Sequence, residues 1–477
     1  MYNHTKQLRC DFIRGKSQRE MDDMLPLYAK AVAALCPCPV SIFPDKFDEI
    51  IKGHLTLASK KTLANHRTEI AGALLGLYYE ENEEIFESDR NKKFLQDSDQ
   101  PSLFKDICFK HQFPTGVQNI STAKEKLDDG IKFRPYPFIL KALKLSEEGC
   151  FELTINDIGY YILNSEDVLK GNATPGEVFS VIAADKTACI ERHIPNPEGK
   201  AQSYVYQHIR EQLNYLELAN LIFIDTGKTV RLNHYENKAI DIFLGEYGKS
   251  LPFDFNLYDL NSKHGRCECH LAWRKYYGEL SIPTATGNFI TTASAILSPA
   301  STATATQKED DDQSEDNAVE IGDEGEGIVF KYEKARVQSF CARMANRVLL
   351  LGKTRGLGYD IQSVVAETGP RAEFYKYIEV KTTKRVTAPS VDDDTWSDNI
   401  TITRNEFLAA EQHGEVYCIF RVYITRSGVT FHIIGNVRQK LDEGRIDIVP
   451  LTYRVDFSGK SIDYVISPEQ IQERINA

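Results

Sequence analysis

Residues 358–361, GYDI, and residues 377–381, YIEVK, decide the fold of the last third of this 477-residue chain. Residues 361–365 and 378–383 are rich in β-branched side chains, which favour strands. Between them, residues 368–370, TGP, are typical of a turn. The pattern therefore predicts two adjacent antiparallel strands.

Three charged side chains are predicted to meet on these strands. Residues two apart on a strand share a face, so Glu379 and Lys381 point the same way while Val380 points into a core. Asp360, at the start of the neighbouring strand, completes the cluster. Its oxygens suit Mg²⁺, which polarises a phosphoryl oxygen and acidifies water, and the lysine can orient that water or stabilise developing charge. A surface salt bridge between strands is the alternative explanation.

The sequence around this cluster resembles the NO VEIN carboxy-terminal-like domain family, a nuclease-related group of the PD-(D/E)XK superfamily. The resemblance spans about residues 320–450 and rests on four blocks in the same order: GYDI (358–361), IEVKTT (378–383), ITRNEF (402–407) and RVY (421–423). It implies a catalytic domain with Mg²⁺ as cofactor. Tyr359 stands where many members of the superfamily have a proline.

The resemblance also implies a further glutamate on the first helix of this domain. The family's Gly-x-x-Gly-Glu start matches Gly322, Gly325 and Glu326, so Glu326 is expected to join the catalytic residues and the metal ligands Asp360 and Glu379. Glu333 lies seven residues later on the same helix face and remains the alternative.

The rest of this domain is predicted from local signals. Thr403 and Glu406 form a capping box that opens a helix, and Gly414 ends it. Residues 416–424 and 429–437 are expected to be strands. Together these elements predict a PD-(D/E)XK-type mixed sheet flanked by helices.

Composition places the chain among soluble globular proteins, with 42% hydrophobic and 26% charged residues. No apolar run approaches a membrane helix and the first residues lack the apolar core of a signal peptide, so a cytoplasmic protein is expected. Ten scattered cysteines are expected to be reduced. Residues 307–326 carry a charge of −9, which leaves −3 of the total of −12 for the rest.

A flexible acidic linker is expected at residues 286–320, where Ser, Thr and Ala precede the acidic run. It would separate a helical domain (1–125) and a DNA-recognition region (126–285) from the nuclease-like domain (321–477).

The first domain contains a basic segment. A helix over residues 21–35 is ended by CPCP at 36–39, and the polar, basic residues 59–70 precede an apolar helix over 71–79. This helix could lie across a phosphate backbone or simply be solvated. The candidate DNA-binding residues here are Lys60, Lys61 and Arg67.

The recognition region is expected to resemble helix-turn-helix or winged-helix units. Helices at 138–143 and 153–163, the second with Thr154 as N-cap and Asp157 at the third helical position, fit a helix-turn-helix or an αα-hairpin equally well. A helix at 204–218, a hairpin at 221–232 and a helix at 235–244 suggest a winged helix. The candidate phosphate contacts on the wing are Lys228 and Arg231.

A zinc site is the one further metal hypothesis, since histidines accompany two Cys-x-Cys pairs, although the usual spacing is absent and buried free thiols are the competing explanation. The residues concerned are Cys36, Cys38, His264, Cys267, Cys269 and His270.

These patterns predict an α+β, multidomain, Mg²⁺-dependent DNA endonuclease of the restriction or phage-defence type. Double-stranded DNA is the expected partner, a homodimer would suit the two cuts that a duplex needs, and an adjacent DNA methyltransferase gene would indicate restriction of unmodified DNA. The alternative is a non-catalytic nucleic-acid-binding module with a nuclease-like fold. An RNA substrate ranks lower, because the aromatic RNA-binding signatures are absent from the sequence.

Overall fold

The chain combines a helical N-terminal part, which contains two small sheets, with a C-terminal part built on a five-stranded sheet. This is the α+β composition that the sequence predicts. Among the described residues, no helix is long and apolar enough to cross a membrane. The computed structural model describes residues 18–54, 59–117, 119–194, 204–225, 228–291, 317–352, 357–390, 398, 400–426 and 428–447.

One large hydrophobic core joins the helices of the N-terminal part, with Phe104, Tyr215 and Trp273 among its fully buried side chains. Two of the helices, the third and the eighth, continue as π-helices over His66–Leu74 and Ile158–Leu163. The α-helices described here are α1 (Gln18–Leu35), α2 (Phe43–His54), α3 (Lys60–Asn65), α4 (Asp89–Asp97), α5 (Gln100–Lys110), α6 (Ile120–Asp128), α7 (Pro135–Glu148), α8 (Ile155–Asp157), α9 (Glu166–Leu169), α10 (Pro175–Thr187), α11 (Tyr204–Leu218), α12 (Asn237–Leu244), α13 (Lys263–Gly278) and α14 (Ile282–Ala285).

Two antiparallel sheets lie among these helices, in the orders β1-β3-β2 and β4-β6-β5. The predicted hairpin is confirmed by the pairing of β5 with β6, while its tip residues 226 and 227 lie outside the described residues. The strands are β1 (Cys38–Pro39), β2 (Tyr78–Glu81), β3 (Glu84–Glu87), β4 (Leu153–Thr154), β5 (Ile222–Ile224) and β6 (Thr229–Leu232).

Two of the predicted helices have different ends. Tyr78 and Tyr79, expected at the end of an apolar helix, belong to β2, because this pair of tyrosines forms cross-strand pairs with β3. Leu153 and Thr154, expected at the start of a helix, form β4, and Thr154 caps α8 from there through the predicted capping box with Asp157.

The C-terminal part is a mixed sheet in the order β11-β10-β9-β8-β7. Strands β7, β8 and β9 are antiparallel to their neighbours in that series. Strand β10 runs parallel to β9, and β11 is antiparallel to β10. The elements in chain order are α15 (Asn317–Phe340), β7 (Leu349–Leu350), β8 (Ile361–Val364), β9 (Tyr375–Lys384), α16 (Arg404–His413), β10 (Tyr417–Thr425), β11 (Gly428–Gly435) and α17 (Val437–Asp442).

The register of this sheet decides which residues share a face. Ile361 pairs with Ile378, so Asp360 lies level with Glu379. Ile378 and Val380 are buried in the core that contains Val329 of α15. Because side chains alternate along a strand, Glu379 and Lys381 lie on the other face of β9.

Helix α16 begins and ends as the sequence predicts. The N–H of Glu406 donates to the Thr403 hydroxyl, the N–H of Thr403 donates to the Glu406 carboxylate, and Gly414 is the C-cap. Helix α15 begins at Asn317, inside the segment that was assigned to the linker. Residues 292–316 of that segment lie outside the described residues, and Thr291, just before them, is fully buried.

The chain passes from the end of β9 directly into the N-terminal part. Val386 is buried in the large N-terminal core. Asp22, fully buried on α1, accepts hydrogen bonds from Thr387 N and Oγ1 at 2.8 and 2.6 Å and from Gln100 Nε2 at 2.6 Å. Arg385 Nε lies 3.9 Å from the same carboxylate. The strand that carries Glu379 is thus anchored in both parts.

A second contact forms at the turn between β10 and β11. Arg426 Nε donates to Asn220 Oδ1 at 3.2 Å, Nη1 lies 3.6 Å from Glu217 Oε1, and the guanidinium lies over the ring of Phe223. These partners lie on α11, on β5 and between them, next to the predicted wing. The sheet of the C-terminal part therefore contacts the predicted DNA-recognition region through a polar, largely buried seam.

Replacing Asp22 by alanine tests the importance of the first of these two contacts, in which Asp22 accepts from Thr387. We expect Asp22→Ala to lower the free energy of unfolding by about 2–3 kcal/mol, because buried donors of Thr387 and Gln100 lose their acceptor. Glu49→Ala, which removes an exposed carboxylate from α2, should change it by less than about 0.5 kcal/mol. Urea unfolding followed by circular dichroism measures both, and equal losses would contradict a special role for Asp22.

Candidate active site

Asp360, Glu379 and Lys381 converge where β8 and β9 meet. Lys381 Nζ lies 2.7 Å from Glu379 Oε1, and Asp360 Oδ2 accepts a hydrogen bond from Val380 N at 2.8 Å. The register of β8 and β9 places the two carboxyl groups level with each other on adjacent strands. The structure thus brings together the three residues that the sequence singled out on these strands.

Local backbone geometry fixes the position of Asp360. Gly358 has a φ of 75°, and a Cβ there would lie 2.3 Å from the carbonyl oxygen of Asn405, so a side chain is excluded by both conformation and space. Tyr417 donates its hydroxyl to the Gly358 carbonyl at 3.1 Å, and Leu351 N donates to the Asp360 carbonyl at 2.6 Å. These contacts explain why a glycine precedes the tyrosine and the aspartate.

Burial dominates the electrostatics of the cluster. It raises the pKa of Glu379 to about 8, and the nearby Asp360 carboxylate adds to the effect while Lys381 opposes it. Burial also raises the pKa of Asp360. Burial alone would lower the pKa of Lys381, but Glu379 and Glu406 outweigh it and raise that pKa. Two crowded, desolvated carboxylates therefore retain a proton until a cation compensates their charge.

Glu406 is a member of this cluster that sequence reasoning assigned only to a helix cap. Its Oε2 lies 2.9 Å from Lys381 Nζ, and the side chain is 14% exposed. Lys381 is therefore paired with two carboxylates from different elements. The capping-box pattern reveals where Glu406 stands on α16, but nothing in the sequence places α16 against β9.

The two glutamates considered on α15 occupy different environments. Glu326 reaches the loop after β7, since a Cβ on Gly352 would lie 2.1 Å from its Oε2, and the preceding residue, Leu351, bonds to Asp360. Glu333 is fully buried and accepts hydrogen bonds from Ser363 Oγ at 2.6 Å and Arg336 Nη2 at 2.7 Å. Glu333 thus belongs to a buried polar network, whereas Glu326 lies beside the loop whose Leu351 bonds to the Asp360 carbonyl.

A basic residue flanks the cluster on the neighbouring strand. Arg421 stands opposite Lys381 in the parallel pairing, donates from Nη1 to the Lys381 carbonyl at 3.3 Å, and bonds through Nε to Asp398 at 2.8 Å. Tyr423 donates its hydroxyl to the same aspartate at 2.7 Å. Arg421 is therefore ion-paired with Asp398 beside the cluster, as Lys381 is with Glu379 and Glu406.

The carboxylate pair fits a divalent cation in its chemistry. Mg²⁺ is usually bound through one or two carboxylates together with water and substrate phosphates. Asp360 and Glu379 supply two such groups, and their retained proton marks a place where positive charge is stabilising. In the described part of the chain, no three or more His, Cys, Asp or Glu side chains are grouped so as to hold a metal ion.

The zinc hypothesis is tested by the same observation. The six cysteines and histidines considered for it all lie in described ranges and form no such group. Cys36 and Cys38 are half-buried at β1, whereas Cys267 is exposed and Cys269 is buried on α13. Burial raises the pKa of the Cys36 and Cys269 thiols, to about 12 in each case. These thiols are thus held in the protonated form.

The candidate DNA-binding residues differ in availability. Lys60 and Lys61 are exposed in the first turn of α3, which Ser59 caps. The other three have partners: Arg67 pairs with Asp48, Arg231 pairs with Glu152, and Lys228 Nζ lies 4.9 Å from the centre of the Tyr206 ring.

Two family models match two separate regions of the chain. A family model described as restriction endonuclease BpuJI, N terminal, matches residues 2–273, and one described as protein NO VEIN, C-terminal, matches residues 325–434. A similar solved structure is described as pyrene- and phenanthrene-modified DNA in complex with the BpuJ1 endonuclease binding domain. It is 43% identical, covers 58% of this chain and 100% of that chain, and has a TM-score of 0.56. No curated protein matches the chain.

If Asp360 and Glu379 bind Mg²⁺, the raised pKa of Glu379 makes the stabilisation by Mg²⁺ depend on pH. The unfolded glutamate ionises near pH 4.5 and the folded one near 8, so the metal-free fold loses stability between these values as pH rises. Since a cation binds the ionised form, a fixed Mg²⁺ concentration should raise Tm more at about pH 8.5 than at about pH 6.

Thermal unfolding with and without Mg²⁺ measures this difference. Glu379→Gln cannot ionise and should abolish the pH dependence of the shift. An equal Mg²⁺ shift at both pH values in the wild type would contradict cation binding by this pair.

Proposed function

Because the chain belongs to the family defined by the N-terminal region of restriction endonuclease BpuJI, we propose that it is a Mg²⁺-dependent DNA endonuclease. The N-terminal part recognises double-stranded DNA, and the C-terminal part hydrolyses the phosphodiester backbone. The observation that carries the catalytic half of the proposal is the ion-paired cluster of Asp360, Glu379 and Lys381 on adjacent strands.

DNA recognition by the N-terminal part is supported by its relative and by its own topology. The similar binding domain forms a complex with DNA. In this chain α7, β4, α8, α11, β5 and β6 occur in that order, with α9 and α10 between α8 and α11, and β4-β6-β5 form the sheet. Helices followed by a two-stranded hairpin are the organisation of a winged helix, whose wing and helices would contact phosphates and bases.

Hydrolysis by the C-terminal part is supported by the order of its elements. A helix, three antiparallel strands, a second helix and a strand parallel to β9 are the arrangement expected for a PD-(D/E)XK nuclease. Asp360 and Glu379 would hold Mg²⁺. Glu326, proposed as a further ligand, would have to move toward them, because no three such side chains are grouped around one point in the described residues. When bound there, Mg²⁺ would supply the polarisation of a phosphoryl oxygen and the acidification of a water molecule. Lys381 orients that water and stabilises the charge that develops on the phosphate.

The same proposal includes the biological setting. A restriction or phage-defence enzyme must cut both strands, for which a homodimer provides two sites. It must also spare the DNA of its host, which a partner DNA methyltransferase would achieve. Cleavage assays on modified and unmodified DNA in parallel show whether the protein cuts DNA that a methyltransferase has modified.

Lys381→Ala is the direct test of the chemistry. DNA binding should persist because the N-terminal part, which recognises the DNA, is unchanged. Cleavage should fall by about 10²–10³, the usual effect of removing one positioned electrostatic group. Asp360→Ala should abolish cleavage at low Mg²⁺, because it removes a proposed metal ligand. High Mg²⁺ should partly restore cleavage. Cleavage over a range of Mg²⁺ concentrations, with folding checked by circular dichroism, measures both.

Val380→Ala is the matched control for these variants. Its side chain lies on the opposite, buried face of the same strand, so it should lower stability by up to a few kcal/mol and leave the folded fraction active. Full cleavage by folded Lys381→Ala would remove this site from consideration. Binding without cleavage by the wild type would favour a non-catalytic module.

The DNA-binding assignment can be tested on the intact protein without Mg²⁺. Affinity should fall steeply with salt as phosphate contacts release counterions. Lys60→Ala and Lys228→Ala should each lower the slope of log K against log salt by about 1. Lys331→Ala, an equal loss of charge on exposed α15, should leave the slope unchanged. If only Lys331→Ala changed the slope, the recognition face would be assigned to the wrong part.

A further inference from the structure

We propose that Glu406 is a positioning residue that holds the Lys381 ammonium in place once Glu379 is taken up by a cation. This inference rests on the proposed nuclease function and adds to it a residue from α16. It starts from the observation that Lys381 has two carboxylate partners, with Nζ 2.7 Å from Glu379 Oε1 and 2.9 Å from Glu406 Oε2.

The two partners of Lys381 have different further roles. Glu379 lies level with Asp360 on the adjacent strand and is one of the two groups that fit a divalent cation. A cation bound there competes with the ammonium for the same carboxylate. Glu406 is then the carboxylate that keeps Lys381 beside the reacting phosphate. Without it, the flexible lysine side chain would sample other rotamers and lose its alignment.

The capping box makes Glu406 a rigid anchor. The oxygen that contacts Lys381, Oε2, also accepts the backbone N–H of Thr403 at 3.0 Å, and the Thr403 hydroxyl accepts the N–H of Glu406 at 3.3 Å. The N-terminus of α16 thereby fixes both the helix start and the position of one carboxylate oxygen. A carboxylate at this end of a helix is also stabilised by the helix dipole.

Two substitutions separate the cap from the contact with Lys381. Glu406→Gln keeps the length and can still form a capping box, but it loses the charge. Glu406→Asp keeps the charge and can also cap, as Asp157 does at the same position of α8, but it is too short by one methylene to keep the contact. Glu177→Gln, in the matching box of Thr174 on α10, is the control for a cap without a lysine partner.

The first measurement needs neither metal nor substrate. Urea unfolding gives the free energy of unfolding of four metal-free proteins, which form a double-mutant cycle. They are the wild type, Glu406→Gln, Lys381→Ala and the double variant. We expect the losses to be non-additive, because each single change already breaks the pair. Additive losses would show that the two side chains do not interact in solution and would overturn the inference.

The second measurement is cleavage under single-turnover conditions. Glu406→Gln and Glu406→Asp should lower the rate by about 10–100-fold, with DNA affinity and the Mg²⁺ half-saturation concentration unchanged, whereas Glu177→Gln should cut normally. In the Lys381→Ala background, Glu406→Gln should cause no further loss, because it acts through that lysine. A merely structural role would add its loss in both backgrounds.

Three outcomes would count against the inference while leaving the proposed function intact. Wild-type rates for both Glu406 variants would show that Lys381 needs no such anchor. Recovery of the cleavage rate of Glu406→Gln at high Mg²⁺ would indicate that Glu406 is a metal ligand instead. A further loss in the Lys381→Ala background would give it a separate role. Absence of cleavage by the wild type, in contrast, would overturn the proposed function itself.

Discussion

The hydrogen bond from Val380 N to Asp360 is the contact on which the candidate site depends, because it joins β8 to β9 where the carboxylates meet. Its position is set from the other face of the sheet. There α15 packs so closely that a Cβ on Gly325 would lie 1.8 Å from Thr382 Oγ1. Val380 itself is buried against that helix. Close packing on one face therefore holds charged groups together on the other, where water would otherwise separate them.

Much of this arrangement could be predicted from the sequence, for reasons that are local. A period of two on β9 is sufficient to place Glu379 and Lys381 on one face, and a capping box defines the start of α16. Non-local contacts could not be predicted. The contact of Glu406 with Lys381 depends on the packing of α16 on β9, and β4 forms only because β6, far along the chain, pairs with Leu153.

The seam between the two parts consists mainly of charged and polar side chains. Asp22, Lys384 and Arg426 are buried or nearly so and have several hydrogen-bond partners, such as the Thr291 carbonyl 2.6 Å from Lys384 Nζ. Such groups are costly to desolvate and tolerate few alternative arrangements. They therefore favour one orientation of the sheet relative to α1 and α11 more than an apolar contact of the same size would.

The passage of β9 into the N-terminal core has a consequence for how such a protein can evolve. A C-terminal domain attached only by a linker could be moved to another N-terminal domain by recombination in that linker. Here Val386 fills part of the N-terminal core, and Thr387 bonds to the buried Asp22 on α1. A different N-terminal domain would lack those two complementary sites. The N-terminal and C-terminal parts must therefore change together in evolution, which favours their joint inheritance over exchange of one part.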